Sequence, residues 1–338
     1  MKVLESEEKL CLSCMEKHQV DLVEVTERHI FKGEEIEFKA AYEYCSKADA
    51  FLETEEMIKA NDLAFKDAYR KKVGLLTSEE IRRIREAYDL SQKDLAVILD
   101  WGQATITRYE NCQIQDRAHD DVLRTIDADP KWFLDKIISN KNRLSPKAYA
   151  KCLQKAKERY NKQQDHYFRN AIHAIYAKFA DKATTGGVEL NLDKVVEVIN
   201  YYASKVPHLF KVKLMKMLWY GDALNFKRYD ESINGLAYRA LPLGAVPEGC
   251  DQIIQLDGVN FDVILYDDYE AYRFKPAPGF TVRLLAKHEI ETLDTVIREL
   301  GSLNTKEIVD KMHQEIAYQK TALYGLISYS WAKDLSLD

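Results

Sequence analysis

The stretch that decides the fold of this chain runs from residue 91 to residue 110 and reads Ser91-Gln92-Lys93-Asp94-Leu95-Ala96-Val97-Ile98-Leu99-Asp100-Trp101-Gly102-Gln103-Ala104-Thr105-Ile106-Thr107-Arg108-Tyr109-Glu110. Ser91, with Asp94 three residues later, has the pattern that caps the first turn of a helix. Apolar residues then recur at helical spacing, and Asp100-Trp101 separates them from a second short helix that carries Ile106 and Tyr109. The stretch therefore predicts two short helices joined by a tight turn.

Further capping patterns extend this arrangement on both sides. Thr77 and Glu80 repeat the cap before an earlier helix, and another helix is predicted from about residue 118 to residue 126. Asp129-Pro130 leads a last helix through Ile138, because proline is acceptable in a first helical turn. Residues 77–140 are therefore expected to form a five-helix bundle.

The two central helices resemble the Xre/Cro-type helix-turn-helix family. In that family the second helix lies in the major groove of DNA and the first crosses the phosphate backbone. The resemblance implies a set of side chains that face the bases, namely Gln103, Ala104, Thr107 and Arg108. It also implies a set that contacts phosphates, namely Ser91, Gln92 and Lys93. Their chemistry agrees, since Gln pairs with adenine, Arg pairs with guanine and a small Ala admits a thymine methyl group.

The charge of the chain is unevenly distributed. The net charge is −6, and residues 77–138 hold nine basic against thirteen acidic side chains. Residues 136–162 hold nine basic against one acidic, whereas residues 1–69 hold nine against seventeen. We interpret residues 141–164 as a basic linker helix that is either solvated or faces phosphate or an acidic partner. Non-specific affinity for DNA should then be poor unless formation of a homodimer and the flanking basic segments Arg70-Lys71-Lys72 and 136–162 assist.

The amino-terminal segment predicts a β-hairpin module over residues 1–52. Residues 18–44 alternate in a strand-like manner around Lys32-Gly33, and residues 53–76 should form a linker helix. Cys11 and Cys14 precede the hairpin and Cys45 closes it, so the fold should bring three thiols to one end.

This module resembles a zinc ribbon, and its order before the helix-turn-helix resembles the MqsA-type antitoxin family over roughly residues 9–138. In that family two pairs of thiolates hold zinc. Here Ala48 stands where a fourth ligand is expected, so the metal set Cys11, Cys14 and Cys45 lacks its fourth member. We therefore expect no cofactor, with zinc absent or substoichiometric. The alternative is zinc completed by His18, His29 or Asp49.

The remaining chain, residues 165–338, predicts a helical domain with a small β-sheet. Thr184-Thr185-Gly186-Gly187 interrupts the helices, and strand-like pieces occur at 252–256 and 261–266. Helical apolar spacing recurs at 192–202, 210–226, 288–300, 305–313 and 317–329. Within them Leu214, Met217 and Leu218 are expected in the core, and His313 is expected to be structural.

Several motifs of this region resemble the SocA-like Panacea domain over about residues 172–330. They are residues 213–223, 240–247, 306–308 and 313–315. The loop Leu243-Gly244-Ala245-Val246-Pro247 departs from the family's Gly-Pro-Val pattern. The resemblance implies an antitoxin domain that binds and neutralises a neighbouring protein toxin.

Other classes of protein find little support in the sequence. The chain lacks a phosphate-binding glycine loop, a His-Glu-x-x-His helix and a Gly-x-Ser-x-Gly elbow, so no enzyme is expected. The adjacent pairs Asp120-Asp121 and Asp267-Asp268 should be solvated, and Cys112, Cys152 and Cys250 should be ordinary helix or core residues. No apolar run is long enough for a membrane span, which predicts a cytoplasmic protein without a membrane partner.

We conclude that the chain is mainly α and multidomain, with a zinc-ribbon-like hairpin module in front. The resemblances together imply an antitoxin of a type II toxin–antitoxin system that represses its own operator and neutralises its toxin through residues 165–338. The alternative is a helix-turn-helix repressor whose carboxy-terminal domain senses a ligand or acts as a proteolytic adaptor.

Overall fold

The computed structural model describes residues 1–111, 113–266 and 269–338, which form two compact units, Met1–Tyr160 and Asn161–Asp338. The expectations for Cys112 and for the pair Asp267-Asp268 lie outside the described residues. Within the described ranges, no helix is both long enough and apolar enough to cross a membrane.

The first unit begins with an antiparallel sheet of four strands in sequential order. The strands are β1 (Lys2–Leu10), β2 (Lys17–Phe31), β3 (Glu34–Cys45) and β4 (Ala50–Leu52). The predicted hairpin is confirmed as β2–β3, and its turn residues Lys32 and Gly33 have positive φ angles of 48° and 86°, as two-residue hairpin turns with a right-handed twist require. Strand β1 was not predicted, because it is an edge strand that is exposed along nearly its whole length and has no apolar face to mark it.

Helix α1 (Glu55–Val73) follows the sheet and packs against β3. Its Phe65 ring lies 5.3 Å from that of Phe31 and 5.2 Å from that of Phe38, measured between centroids. Asn61 is buried and exchanges two hydrogen bonds with the backbone of Ala41, accepting at 2.8 Å and donating at 2.9 Å. The helix is therefore fixed to the sheet by both apolar and polar contacts.

The predicted five-helix bundle is confirmed. It consists of α2 (Ser78–Glu86), α3 (Gln92–Ile98), α4 (Thr105–Asn111), α5 (Arg117–Ala128) and α6 (Pro130–Ser139). The caps form as expected, since Thr77 and Glu80 make a capping box and the Ser91 hydroxyl accepts from the Asp94 amide at 3.1 Å. The core is built from apolar side chains that each helix contributes, including Ile84, Leu95, Ile106, Ile126 and Phe133.

Helix α7 (Pro146–Tyr176) is continuous, and its residues belong to both units. Cys152 and Ala156 pack in the core of the first unit, whereas Ile172 and Tyr176 pack in the core of the second. The expected change from linker to domain between residues 164 and 165 thus falls inside a regular helix. Several basic side chains of its first half pair with acids, such as Lys151 with Asp89.

The second unit is built around α10 (Lys211–Tyr229), whose side chains are buried along most of its length. Four other helices surround or precede it, namely α8 (Lys182–Thr185), α9 (Leu192–Lys205), α12 (Lys287–Leu300) and α13 (Thr305–Gln314). A three-stranded sheet has the order β6 (Gly244–Pro247), β5 (Tyr238–Leu241), β9 (Leu326–Ile327), and β7 (Asn260–Leu265) pairs with β8 (Glu270–Lys275). The expected mixture of helices with a small sheet is confirmed.

Two predicted elements of this unit are wrong. The strand expected at 252–256 lies instead in helix α11 (Cys250–Ile253) and the turns after it. Its apolar residues face the core from a helical turn just as they would from a short strand, so the pattern does not distinguish the two. The helix expected at 317–329 is replaced by α14 (Ile316–Gln319), strand β9 and a 3₁₀ turn at Tyr329–Asp334, because β5 supplies a pairing partner for residues 326–327.

Candidate nucleic-acid interface and metal centre

The outer face of α4 and of the turn before it carries the residues expected to read bases. Gln103, Ala104, Thr107 and Arg108 are all exposed. On the opposite face Ile106 and Tyr109 are buried and hold the helix against the bundle. This separation of buried and exposed faces leaves the four expected side chains available to a groove of DNA.

The residues expected to contact phosphates lie at the amino-terminal end of α3. Ser91 and Lys93 are exposed, whereas Gln92 is half-buried. The Gln92 amide nitrogen donates to Glu110 Oε2 at 2.7 Å, and its oxygen accepts from the Thr107 hydroxyl at 2.8 Å. Gln92 therefore joins α3 to α4 and orients the Thr107 side chain.

Behind α4 lies a buried ion pair that the sequence analysis missed. Glu110 is fully buried and accepts from Arg85 Nε at 2.6 Å and from an Arg85 terminal nitrogen at 2.9 Å. Arg85 also donates to the Leu90 carbonyl at 2.8 Å, and its pKa is raised chiefly by the hydrogen bond to Glu110. Two parallel hydrogen bonds of this kind fix both distance and angle. The pair thus ties the recognition helix α4 to α2.

A second buried cation, Arg70 of α1, holds the other end of α4. Its side chain is completely buried and donates to the carbonyls of Tyr109 at 2.8 Å and Gln113 at 2.7 Å. It also donates to Gln115 Oε1 at 3.0 Å and to Asp67 at 2.6 Å. The expectation that Arg70 assists DNA binding from a basic surface is therefore wrong for this residue, since its charge is used inside the unit. Its neighbours Lys71 and Lys72 are exposed.

Asp120 belongs to the same buried network, which corrects the expectation that Asp120-Asp121 is a solvated pair. Asp120 is 1% exposed and accepts from the Leu76 amide at 2.8 Å, Gln115 at 2.9 Å and Arg124 at 2.7 Å. Burial raises the pKa of Asp120, but these hydrogen bonds outweigh it and hold the pKa below the usual value. Asp121 is exposed, as expected.

The candidate metal centre lies at one end of the amino-terminal sheet. Cys11 and Cys14 occupy the turn between β1 and β2, His18 is the second residue of β2 and Cys45 ends β3. One ligand atom from each of these four residues lies within 4.8 Å of all the others. The three thiols meet as predicted, and His18, one of the three alternatives for a fourth ligand, lies beside them. His29 and Asp49 have other partners, Glu27 and Tyr44 respectively.

The chemistry of the four donors fits a metal ion. Three thiolates and one imidazole are a common tetrahedral set for structural zinc. The pKa of Cys11 is lowered to about 6, chiefly by a hydrogen bond from the Cys14 backbone. The Ala48 amide donates to Cys45 Sγ at 3.3 Å, so the residue that lacks a ligand atom in its side chain still contacts the cluster through its backbone. All described cysteines are free of disulfides.

In the second unit the expected core residues Leu214, Met217 and Leu218 are each fully buried. His313 Nε2 donates a hydrogen bond to the Pro242 carbonyl at 3.1 Å, and the ring stacks on Tyr318. Cys152 is buried in the first unit, and Cys250 is half-buried in the second.

Comparison with known protein families identifies two parts of the chain. A family model for helix-turn-helix domains matches residues 81–112, and a model described as the antitoxin SocA-like Panacea domain matches residues 214–318. The chain carries both domains. No curated protein and no solved structure was found to match it. Both matches confirm the resemblances, and the Cys/His cluster fits a zinc-ribbon-like module. Helix-turn-helix and antitoxin domains are generally not enzymes.

Replacing Arg108 with alanine is expected to weaken operator binding by about 1–3 kcal/mol, the usual range for a bidentate contact between arginine and guanine. Arg108 is exposed on α4 and forms no ion pair within the described residues. The measurement is a salt titration of binding to the operator. Arg28→Ala, at an exposed ion pair on the amino-terminal sheet, is the control. Binding curves that coincide for wild type and Arg108→Ala would show that Arg108 does not contact the bases.

Proposed function

We propose that the chain is the antitoxin of a type II toxin–antitoxin system and a repressor of its own operator. The observation that carries this proposal is the exposed face of Gln103, Thr107 and Arg108, held rigid from behind by Glu110 and Arg85, in a chain that also contains a Panacea domain. DNA is bound by the first unit, and the protein toxin is neutralised by the second. Neither role calls for enzymatic chemistry.

Operator binding is proposed to require two copies of the chain. The bundle itself has more acidic than basic side chains, so a single copy gains little from phosphate neutralisation. A homodimer would place two recognition helices on half-sites about 10 base pairs apart, and the operator should then be an inverted repeat. Lys71, Lys72 and Lys93 are exposed and can add contacts to phosphates.

We also propose that Cys11, Cys14, His18 and Cys45 hold one zinc ion. Four protein ligands leave no open position for water or substrate, so the ion would serve structure and not catalysis. When bound, zinc supplies a cross-link between the ends of β1, β2 and β3. The residues Val20 and Leu52 that pack beside the thiols provide little other core at this end of the sheet.

The division of labour can be tested with two fragments. Residues 161–338 are expected to rescue growth against the product of the adjacent open reading frame, and residues 1–160 are expected only to bind operator DNA. The cut falls between 160 and 161 because Tyr160 packs on the first core, whereas Asp165 accepts from the Asp257 amide at 2.8 Å in the second unit. Each fragment keeps its own hydrophobic core.

The measurement is growth of cells that express the adjacent gene together with each fragment, with the full chain as the positive control. Rescue by residues 1–160 would instead assign neutralisation to the amino-terminal module. The second unit would then be left for ligand sensing or proteolytic delivery. Failure of the full chain to rescue would reject the antitoxin role as a whole.

A further inference from the structure

Lys216, in the middle of α10, has a buried side chain that the function described so far does not use. It is 1% exposed, and within the described residues it forms no hydrogen bond and no ion pair. Lys213, one turn earlier, donates to the Gly301 carbonyl at 2.5 Å, and Lys227 donates to the carbonyls of Leu335 and Leu337. The other deeply placed lysines of this helix are therefore satisfied, and Lys216 is not.

An unpaired amine at this depth is unfavourable for stability. Burial lowers the pKa of Lys216 to about 8, so the charged form still predominates at neutral pH. Among the described residues, Cys250 is an ionisable neighbour that raises the pKa of Lys216, but burial raises the pKa of that thiol to about 11 and keeps it neutral. An ammonium group on a side chain this deeply buried is unfavourable without an acceptor, whereas the side chain of a methionine would not be.

The end of the Lys216 side chain lies beneath the edge strand β6. A Cβ atom at Gly244 would come within 3.0 Å of Lys216 Cε and 2.6 Å of Met312 Cγ. Gly244 also has a φ angle of 104°, which disfavours any side chain. Glycine therefore lets the lysine approach the backbone of β6, one residue from the exposed Leu243.

Several apolar side chains on and beside the sheet that contains β6 are exposed. Leu243 is 53% exposed, Tyr324 is 59% exposed and Leu326 is 38% exposed. Leu326 lies opposite Arg239 in β5, and Arg239 lies opposite Val246 in β6, so these residues form one row across three strands. Neighbouring strands are about 5 Å apart, so one partner can span this row together with the edge strand.

The strained backbone conformation of Tyr324 also indicates a functional surface. Its φ angle is 66°, in the left-handed region that aromatic residues rarely adopt. Two hydrogen bonds hold this conformation. The Tyr324 amide donates to the Ala240 carbonyl at 2.7 Å, and the Arg239 guanidinium donates to the Tyr324 carbonyl. Backbone strain of this kind is concentrated where a protein binds something else.

We propose that the sheet β6-β5-β9 is the surface on which the toxin docks, and that the toxin supplies a carboxylate to the amine of Lys216. This inference rests on the proposed antitoxin function. A protein is the occupant that fits, because Leu243 in the β5–β6 turn, Tyr324 before β9 and Leu326 in β9 are exposed around one sheet and together form a larger surface than a small ligand needs. A carboxylate fits because the amine beneath β6 is a cation without an acceptor.

The test compares Lys216→Met with wild type in the full chain. The probe is the purified product of the adjacent open reading frame, and Lys287→Met is the control because that side chain is 93% exposed on α12. We expect the melting temperature of Lys216→Met to be equal to or above that of wild type, while its affinity for the probe falls at least tenfold and operator binding is unchanged. A residue with a merely structural role would lower the melting temperature instead.

The opposite results would overturn the inference. Unchanged affinity of a folded Lys216→Met overturns the inference, and so does a lower melting temperature, which assigns the lysine to structure. Leu243→Glu tests the surface independently, because its exposed position tolerates the change; undiminished binding of the probe by this variant rejects the sheet as the docking site. If wild type neither binds nor neutralises the probe, the antitoxin function itself fails.

Discussion

Replacing Arg70 with methionine is expected to destabilise the first unit by about 3–5 kcal/mol, the range for removing one partner of a buried charge pair. Methionine fills a similar volume but cannot donate to the Tyr109 and Gln113 carbonyls, and the buried Tyr109 carbonyl loses its Arg70 donor without access to water. Asp67 would lose its cation as well, although it would still accept from the Ser78 amide at 2.8 Å. The loss should appear in urea unfolding of the full chain.

Hydrogen exchange can place this loss within the chain. Amides of residues 77–139 should lose protection in the Arg70→Met variant, whereas amides of residues 181–338 should keep it, because the two units have separate cores. Lys71→Met is the matched control, since it removes a neighbouring charge that is exposed. Equal stability of Arg70→Met and Lys71→Met would show that the network is not needed for folding.

The same substitution should weaken operator binding beyond its effect on stability. Arg70 holds the carboxy-terminal end of α4 and the loop after it, while Arg85 and Glu110 hold the helix from behind. A recognition helix that is free at one end has to be ordered when DNA binds, and that ordering reduces affinity. Helix α1 is therefore connected to the carboxy-terminal end of α4 through the buried Arg70 side chain.

Replacing Cys45 with serine is expected to abolish stoichiometric zinc binding. Structural zinc sites contribute roughly 10–16 kcal/mol of binding free energy at neutral pH, and they depend on all four ligands. Cys45 is fully buried and lies at the centre of the cluster, with His18 Nε2 at 3.4 Å and the Ala48 amide at 3.3 Å from its sulfur. A hydroxyl is a much poorer zinc ligand than a thiolate at this position.

Elemental analysis of purified protein provides the measurement. Wild type should contain one zinc per chain and Cys45→Ser much less, and chelation of wild type should lower the stability of the amino-terminal sheet. Cys250→Ser is the control, because that cysteine lies in the second unit. Wild type without bound metal, purified under conditions that keep its thiols reduced, would contradict the proposed zinc site.

Local patterns predicted the parts of this protein whose stabilising contacts span only a few residues. The helix-turn-helix was predicted because Ser91 with Asp94, and Thr77 with Glu80, cap helices through contacts three residues apart. The β2–β3 hairpin was predicted because Lys32-Gly33 can adopt the two positive φ angles that its turn needs. The meeting of Cys11, Cys14 and Cys45 follows from the same hairpin.

The sequence by itself therefore determined the capped helices, the hairpin and the meeting of three thiols, whereas only the tertiary structure decided which long-range partners complete them. His18 joins the three thiols in the candidate metal centre because β2 and β3 place it beside Cys45, 27 residues away. Arg70 and Asp120 are buried because acceptors and donors 39 to 45 residues distant satisfy them. Strand β9 exists because β5 offers it hydrogen bonds. A sequence pattern predicts that charged residues such as these are exposed to solvent. Their burial becomes favourable only when the fold surrounds them with hydrogen-bonding partners.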